Sequence, residues 1–240
     1  MNKLQNLSDF QTILSNYKIS DGVVSVLRSS KLLLLAGVTS SGRNTVIGEL
    51  LKTNNFHYIV SDTTRKPRVN HGVLEQDGNE YWFKTEEELL AGLRSGEYIE
   101  AAIVHNQQVS GISFRELVKS QSEGKIAVTD IEIMGVRSIV RVKPDTKCVF
   151  MIPPSFEEWM KRLANRGKMS ESELSRRLKS AIKEINFALE VDLFEVVVNN
   201  EFHDTTKTIA NIFNQSYNNN FGRQVAKELV TEVENFLGTV

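Results

Sequence analysis

The stretch Leu32-Leu33-Leu34-Leu35-Ala36-Gly37-Val38-Thr39-Ser40-Ser41-Gly42-Arg43-Asn44-Thr45 decides how the chain is read. Its apolar first half suits a buried parallel strand, since a strand covered on both faces needs no polar alternation. The run then breaks into small residues bounded by Gly37 and Gly42, and a helix-compatible segment, Asn44 to Lys52, follows. A loop of this kind feeding a helix N-terminus turns backbone N–H groups toward one point and favours an anion there. The spacing Gly37-x-x-x-x-Gly42 matches a phosphate-binding P-loop, a motif that continues with Lys and then Ser or Thr. Arg43 and Asn44 stand in those places. The guanidinium stays cationic and can fork onto two phosphate oxygens, whereas lysine is a compact point charge. The Asn44 carbonyl is a possible hard oxygen ligand for magnesium. Thr45 keeps a hydroxyl, turned roughly 100° further round the helix.

Outward from this stretch, strand-like runs alternate with amphipathic ones. The strands are expected at Lys31–Gly37, Tyr58–Ser61, Tyr81–Lys84, Lys125–Ile131, Thr146–Pro153 and Phe194–Asn199. Helices are expected at Thr85–Ser95, Ser113–Glu123, Ser155–Arg166, Ser172–Leu193, Asp204–Tyr217 and Arg223–Leu237, the last with Val225, Leu229, Val233 and Phe236 or Leu237 on one face. Such alternation predicts an α/β fold, a P-loop NTPase-type parallel sheet flanked by helices, with ligands at the strand ends. Asp62 to Gln76 is polar, holds Pro67 and Gly72, lacks helical period and reads as a long functional loop.

Composition narrows the function. With 29 basic and 30 acidic residues the formal net charge is -1, which argues against a general nucleic-acid binder. Cys148, the single cysteine, lies in the apolar run Lys147–Ile152 and reads as a core thiol in a reducing compartment. No apolar run is long enough to cross a bilayer, so no membrane partner is expected and a cytoplasmic location is. The four histidines are scattered, without cysteines at metal-ligand spacing.

Further constellations carry chemistry. In Ser61-Asp62-Thr63-Thr64-Arg65-Lys66-Pro67-Arg68, two arginines three apart with hydroxyls before them suit a phosphate monoester; a solvated basic loop is the plain alternative. Tyr81 opens an aromatic strand and could donate to the same phosphate or simply pack. Glu100, at the end of a strand-like alternation, could accept from a ring N–H and an amino group, or be a surface acid. Asp130 and Glu132 end a buried strand two residues apart, hence on one side of it, where acids position magnesium or cap a helix. Arg162, Arg166 and Arg177 flank the hinge at Gly167 and could form a lid that neutralises transferring phosphate; an ordinary helical hairpin would look the same.

In this order the features resemble guanylate kinase, with Ser61 to Arg68 as the most specific segment and a likeness running roughly from Lys31 to Phe213. The resemblance implies a nucleoside monophosphate kinase that uses ATP and Mg2+ to phosphorylate GMP. It implies that Gly37, Thr39, Ser40, Ser41, Gly42, Arg43, Asn44 and Thr45 hold the ATP phosphates. Ser61, Arg65, Arg68 and Tyr81 would hold the GMP phosphate, and Glu100 would read the guanine edge. Asp130 and Glu132 would match the family's paired acids, with Asn44 and Asp130 toward the metal. Arg43, Arg162, Arg166, Arg177 and Asp130 would act in transfer. The implied divisions are an N-terminal helical extension over 1–30, a kinase-like domain over 31–215 and a tail helix over 216–240. Within the domain, 61–112 would bind GMP and 162–178 would form the lid.

The departures are Arg43 and Asn44, a longer loop between Arg68 and Tyr81, and Gln108-Val109-Ser110-Gly111-Ile112 where the family has Tyr-Tyr-Gly-Ser/Thr. Ser110, or an amide such as Asn106 or Gln107, is what remains there to serve the substrate. These changes keep two alternatives open, a catalytically inactive guanylate-kinase-like module that binds a nucleotide or a phosphorylated or acidic peptide, and a kinase with another acceptor. Monomer and homodimer are equally compatible with the sequence.

Overall fold

The computed structural model describes residues 4–70, 72–104, 106–165, 167, 169–213 and 217–239. Helices α1 (Leu7–Ser15) and α2 (Asp21–Ser29) precede β1 (Leu32–Gly37) and α3 (Arg43–Lys52). Short strands β2 (Phe56–Tyr58), β3 (Asp62–Thr63), β4 (Val69–Asn70), β5 (Val73–Leu74) and β6 (Trp82–Phe83) lead to α4 (Glu86–Arg94). A hairpin of β7 (Tyr98–Val104) and β8 (Gln108–Ser113) is followed by α5 (Phe114–Ser122), β9 (Ile126–Asp130), α6 (Ile133–Val142) and β10 (Lys147–Ile152). The chain continues with α7 (Phe156–Ala164), α8 (Glu171–Glu190), β11 (Glu195–Val198), α9 (Phe202–Asn211) and α10 (Asn220–Thr239).

Among the described residues a five-stranded sheet runs in the order β11-β10-β1-β9-β2. β1 lies parallel to β10, β10 to β11 and β2 to β9. Ala127 N donates to Lys31 O and Ile131 N to Leu35 O, so β9 advances alongside β1. Every residue of β1 is buried, as a strand covered on both faces requires. Its four leucines are the centre of the core, each contributing about 2 kcal/mol by leaving water.

Contacts divide the chain into two compact units. One holds the chain up to Leu32, Asn55–Thr129 and Arg137–Thr146. Its second sheet runs β6-β3-β8-β7, with β3 parallel to β6 and the other pairs antiparallel. Beneath it, Phe10 of α1 joins Leu89, Leu90 and Leu93 of α4 and Tyr98 in one cluster. The other unit holds Leu33–Asn54, Asp130–Val136 and the chain from Lys147 onward. There α10 packs on α8, β11 and α7, burying Val225, Leu229 and Val233 as the helical period requires, while the Phe236 ring meets that of Phe156 at a tilt, 5.4 Å between centroids.

Three expectations change. The strand expected at Tyr58–Ser61 is found at Phe56–Tyr58, beginning two residues earlier and ending three earlier, because beyond Tyr58 the chain leaves the sheet for the basic loop. The long loop from Asp62 holds β3 and the β4–β5 hairpin, which pairs Val69 with Leu74. Glu100 does not end a strand: β7 continues to Val104 and pairs with β8, whose Gln, Ser and Gly residues hide its extended character. The end of the helix expected at Asp204–Tyr217 includes residues outside those described. Cys148 is buried, and desolvation pushes its thiol up to about 12, so it is a core group. Among the described residues no helix is long and apolar enough to cross a membrane.

Candidate active site

The donor half is built on the exit of β1. Gly37 has φ +147°, and a Cβ there would lie 2.3 Å from Met151 O, so only glycine lets β1 and β10 run this close before the turn. Gly42 (φ +94°) ends the loop, and a Cβ there would strike Asn199 Nδ2. That amide donates to Ser41 O at 2.8 Å and pins the loop to the end of β11. Helices α2, α4, α5, α7 and α8 each begin on a Ser or Thr whose hydroxyl accepts from the first turn. α3 has no such cap, and Arg43 rather than an acid opens it. Its N–H groups therefore remain directed at the loop.

Among the described residues the buried side-chain polar atoms lacking a hydrogen-bond partner are Ser40 Oγ, Ser41 Oγ and Asn199 Oδ1. All belong to this loop and its anchor. Each such atom costs about 1–3 kcal/mol, a cost that persists where the groups await a ligand. Ser40 also adopts φ +62°, unusual for a residue with a side chain. A cavity of about 370 Å³ opens here, bordered by Ser40 to Thr45, Arg162, Asn165, Asn199, Asn200 and Phe202. Both Asn44 and Thr45 reach it. The hydroxyl donors, the open helix end and the Arg43 charge fit a polyphosphate.

Two of the arginines expected in the lid, Arg162 and Arg177, lie by the same loop. Trp159 of α7, fully buried, donates through Nε1 to Thr39 O at 2.8 Å. Arg177 of α8 reaches Thr39 Oγ1 at 3.5 Å and is held by Glu173 at 2.6 Å. Arg162 is held by Glu158 at 2.9 Å and touches Asn200 O at 3.5 Å. Arg166 lies outside the described residues. Glu184 of α8 has its carboxyl raised above the usual range, first by burial and further by Glu132, with Arg43 opposing. Asp130 ends β9 and is half-buried, but Glu132 stands outside the strand, exposed in the link to α6. The two acids therefore do not share a strand face as alternation suggested. Among the described residues no three or more His, Cys, Asp or Glu group as a metal site. Asn44 borders the cavity, whereas Asp130 is not among its walls.

The acceptor half is in the other unit. Arg65 puts both terminal nitrogens on Glu75, at 2.5 and 2.8 Å, and lies over the Tyr81 ring at 4.6 Å. The Glu75 bond holds the Arg65 pKa above its ordinary value. Glu75 also accepts from Arg68 N at 2.8 Å, while the Arg68 side chain is exposed. Ser61 O accepts from Trp82 N, which fastens the start of the basic loop beside Tyr81. Ser110 donates to Thr63 Oγ1 at 3.0 Å, and Ile112 pairs with Glu100 across the hairpin. Arg65, Tyr81 and Ser61 are thus brought together. A cavity of about 770 Å³ is bordered by the basic loop from Thr64 to Arg68, by Gln5, by Glu86 and Glu87 of α4, and by Gln107 and Gln108, but not by Tyr81 or Glu100.

Sequence reasoning missed Glu75, Asn199, Trp159 and Phe202. The first three are buried and bond to segments elsewhere in the chain, while Phe202 is exposed and only borders the cavity, so the Asn199-Asn200 pair closing a strand was the visible cue.

The glycine-bounded loop at a parallel strand exit, facing an uncapped helix, defines a protein of the P-loop NTPase class. The family model described as guanylate kinase matches residues 29–216. The guanylate kinase of Clostridium tetani is 33% identical over 181 residues, 75% of this chain and 84% of that one. That of Trichormus variabilis is 36% identical over 186 residues, 75% and 88% of the two chains. The crystal structure of guanylate kinase from Anaplasma phagocytophilum is similar with a TM-score of 0.56 at 27% identity, covering 78% of this chain and 85% of that one. The chain belongs to the guanylate kinase family.

Proposed function

We propose that this protein is a working guanylate kinase, converting ATP and GMP to ADP and GDP in the cytoplasm. The observation that carries the reading is the set of orphaned hydroxyl and amide atoms at Ser40, Ser41 and Asn199, beside an uncapped α3, within a chain of this family. A module that binds only a peptide has no use for a phosphate cradle kept at that cost.

An oxygen of the GMP phosphate attacks the γ-phosphorus, and the bond to the β–γ bridging oxygen breaks, leaving ADP. The attacking oxygen is already anionic, so no general base is needed. The Gly37–Thr45 loop orients the β- and γ-phosphates, and Arg43 follows the charge as it moves to the leaving oxygen. Magnesium neutralises those phosphates when bound, and Asn44 and Asp130 are the donors that this half offers it. Ser61, Arg65, Arg68 and Tyr81 hold the acceptor phosphate, and Glu100 takes the guanine N–H groups. Arg162 and Arg177 leave Glu158 and Glu173 for the nucleotide, joined by Arg166, and exclude water from the transfer.

A coupled ADP-release assay with ATP and GMP tests this. Turnover is expected with GMP, and Arg43→Ala reduces kcat by at least about a hundredfold, in line with loss of one transition-state donor. No turnover with GMP or any other nucleoside monophosphate would reject the reading.

A further inference from the structure

We propose that Tyr17, in the segment that precedes the family match, is a positioning residue for the acceptor half, fixing β7 and β3 through one hydrogen-bonded relay. The proposal rests on the guanylate kinase reading and adds a residue to it.

β7 is an edge strand, so its outward N–H and C=O groups have no strand partner. At Tyr98 one phenol supplies both bonds. Tyr17 Oη donates to Tyr98 O at 2.7 Å and accepts from Tyr98 N at 2.8 Å. The contact falls at an irregularity: Tyr98 pairs with Ser113 and Glu100 with Ile112, which leaves Ile99 as the extra residue of a bulge. A bulge re-aims the side chains that follow it, and Glu100 is the first paired residue beyond. Tyr17 thus clamps the point from which Glu100 takes its direction.

The relay continues through the Tyr98 side chain. Tyr98 Oη donates to Asp62 Oδ2 at 2.7 Å, and Asp62 Oδ1 accepts from Arg115 at 2.7 Å. Asp62 is buried and adjoins Ser61, the first residue of the phosphate loop. One chain of contacts therefore links the segment before the family core to both acceptor strands.

Tyr17 is itself held firmly. Phe10 of α1 is fully buried against α4, and Glu86 accepts from Gln5 N and Asn6 N at 3.0 and 2.8 Å. Ser20 N donates to Gly96 O at 3.1 Å, an approach that a Cβ on Gly96 (φ +70°) would block at 2.8 Å. Burial raises the phenol to about 12, so it remains a donor across the working range.

Tyr17→Phe in the full chain keeps the ring and removes both bonds. The expected result is a rise in KM for GMP of about five- to tenfold, the effect of one or so hydrogen bonds, with KM for ATP unchanged. Tyr98→Phe, which cuts the relay at Asp62, should repeat that pattern. Hydrogen exchange at the amides of residues 98–104 should quicken in Tyr17→Phe, while exchange in 37–45 stays as in the parent. An unchanged GMP KM, or equal rises for both nucleotides, would overturn the proposal. Should the parent chain show no turnover, the kinase reading fails and the exchange experiment decides alone: faster exchange over 98–104 supports the clamp, unaltered exchange removes it.

Discussion

Arg65 meets its partner before any substrate arrives. Its side chain is 10% exposed and that of Glu75 6%, so the pair sits largely out of water with two parallel hydrogen bonds. Such pairs add little over an apolar substitute, but removing one member strands the other charge. Glu75→Gln should lower the unfolding free energy by about 3 kcal/mol, measured by urea denaturation. It should also weaken GMP binding, because Arg68 loses the carboxylate that fixes its backbone. A variant as stable as the parent would show that Arg65 relaxes toward solvent. Glu75 could not be found by eye in the sequence. Its role depends on the β4–β5 hairpin folding back seven to ten residues onto the arginines, and two-residue strands leave no period to read.

The stretch from β1 through the glycine loop to α3 was legible because its parts are contiguous. An unbroken apolar run, two glycines and a helix start follow each other directly in the chain, and local sterics decide the outcome. The hairpin of β7 and β8 was harder, since Gln108, Ser110 and Gly111 lack the alternation that marks a strand. Asp62 looks in the sequence like one more loop polar, although it is buried between Tyr98 and Arg115. The helices α7 and α8 were legible as helices, but their arginine pairings were not. Arg162 and Arg177 each bond to a glutamate one turn earlier, at i,i+4 spacing and partly exposed. Pairs of that kind are worth about 0.3–0.5 kcal/mol, little enough for a polyphosphate to displace them. Glu173→Gln should therefore lower KM for ATP by about twofold and leave KM for GMP alone. A tenfold change in either direction would mean that Glu173 does more than store the arginine.

On the scale of the molecule, the ends of the chain lie outside the family match and each completes one compact unit. The C-terminal end does so at a sheet edge. β11 is the outermost strand beside β10, and Asn219 caps its free side by accepting from Val196 N at 2.6 Å and donating to Phe194 O at 2.8 Å. Gly222 brings α10 so near that a Cβ would fall 1.8 Å from Val196 O. Beyond it Val225, Leu229 and Val233 are buried, and Glu232 accepts from Phe156 N at the start of α7. Burial of three such side chains contributes about 5–8 kcal/mol as an upper figure, comparable to the whole stability of a domain. A chain ending at residue 216 should therefore lose the donor half, not just trim it. Its freed β11 edge would offer unpaired backbone groups to other copies. Scanning calorimetry and size-exclusion chromatography of that truncation should show the loss of the main transition and growth of aggregates. A monomeric product melting within a few degrees of the parent would mean that α10 is an appendage, and that α7, α8 and β11 hold the ATP loop without it.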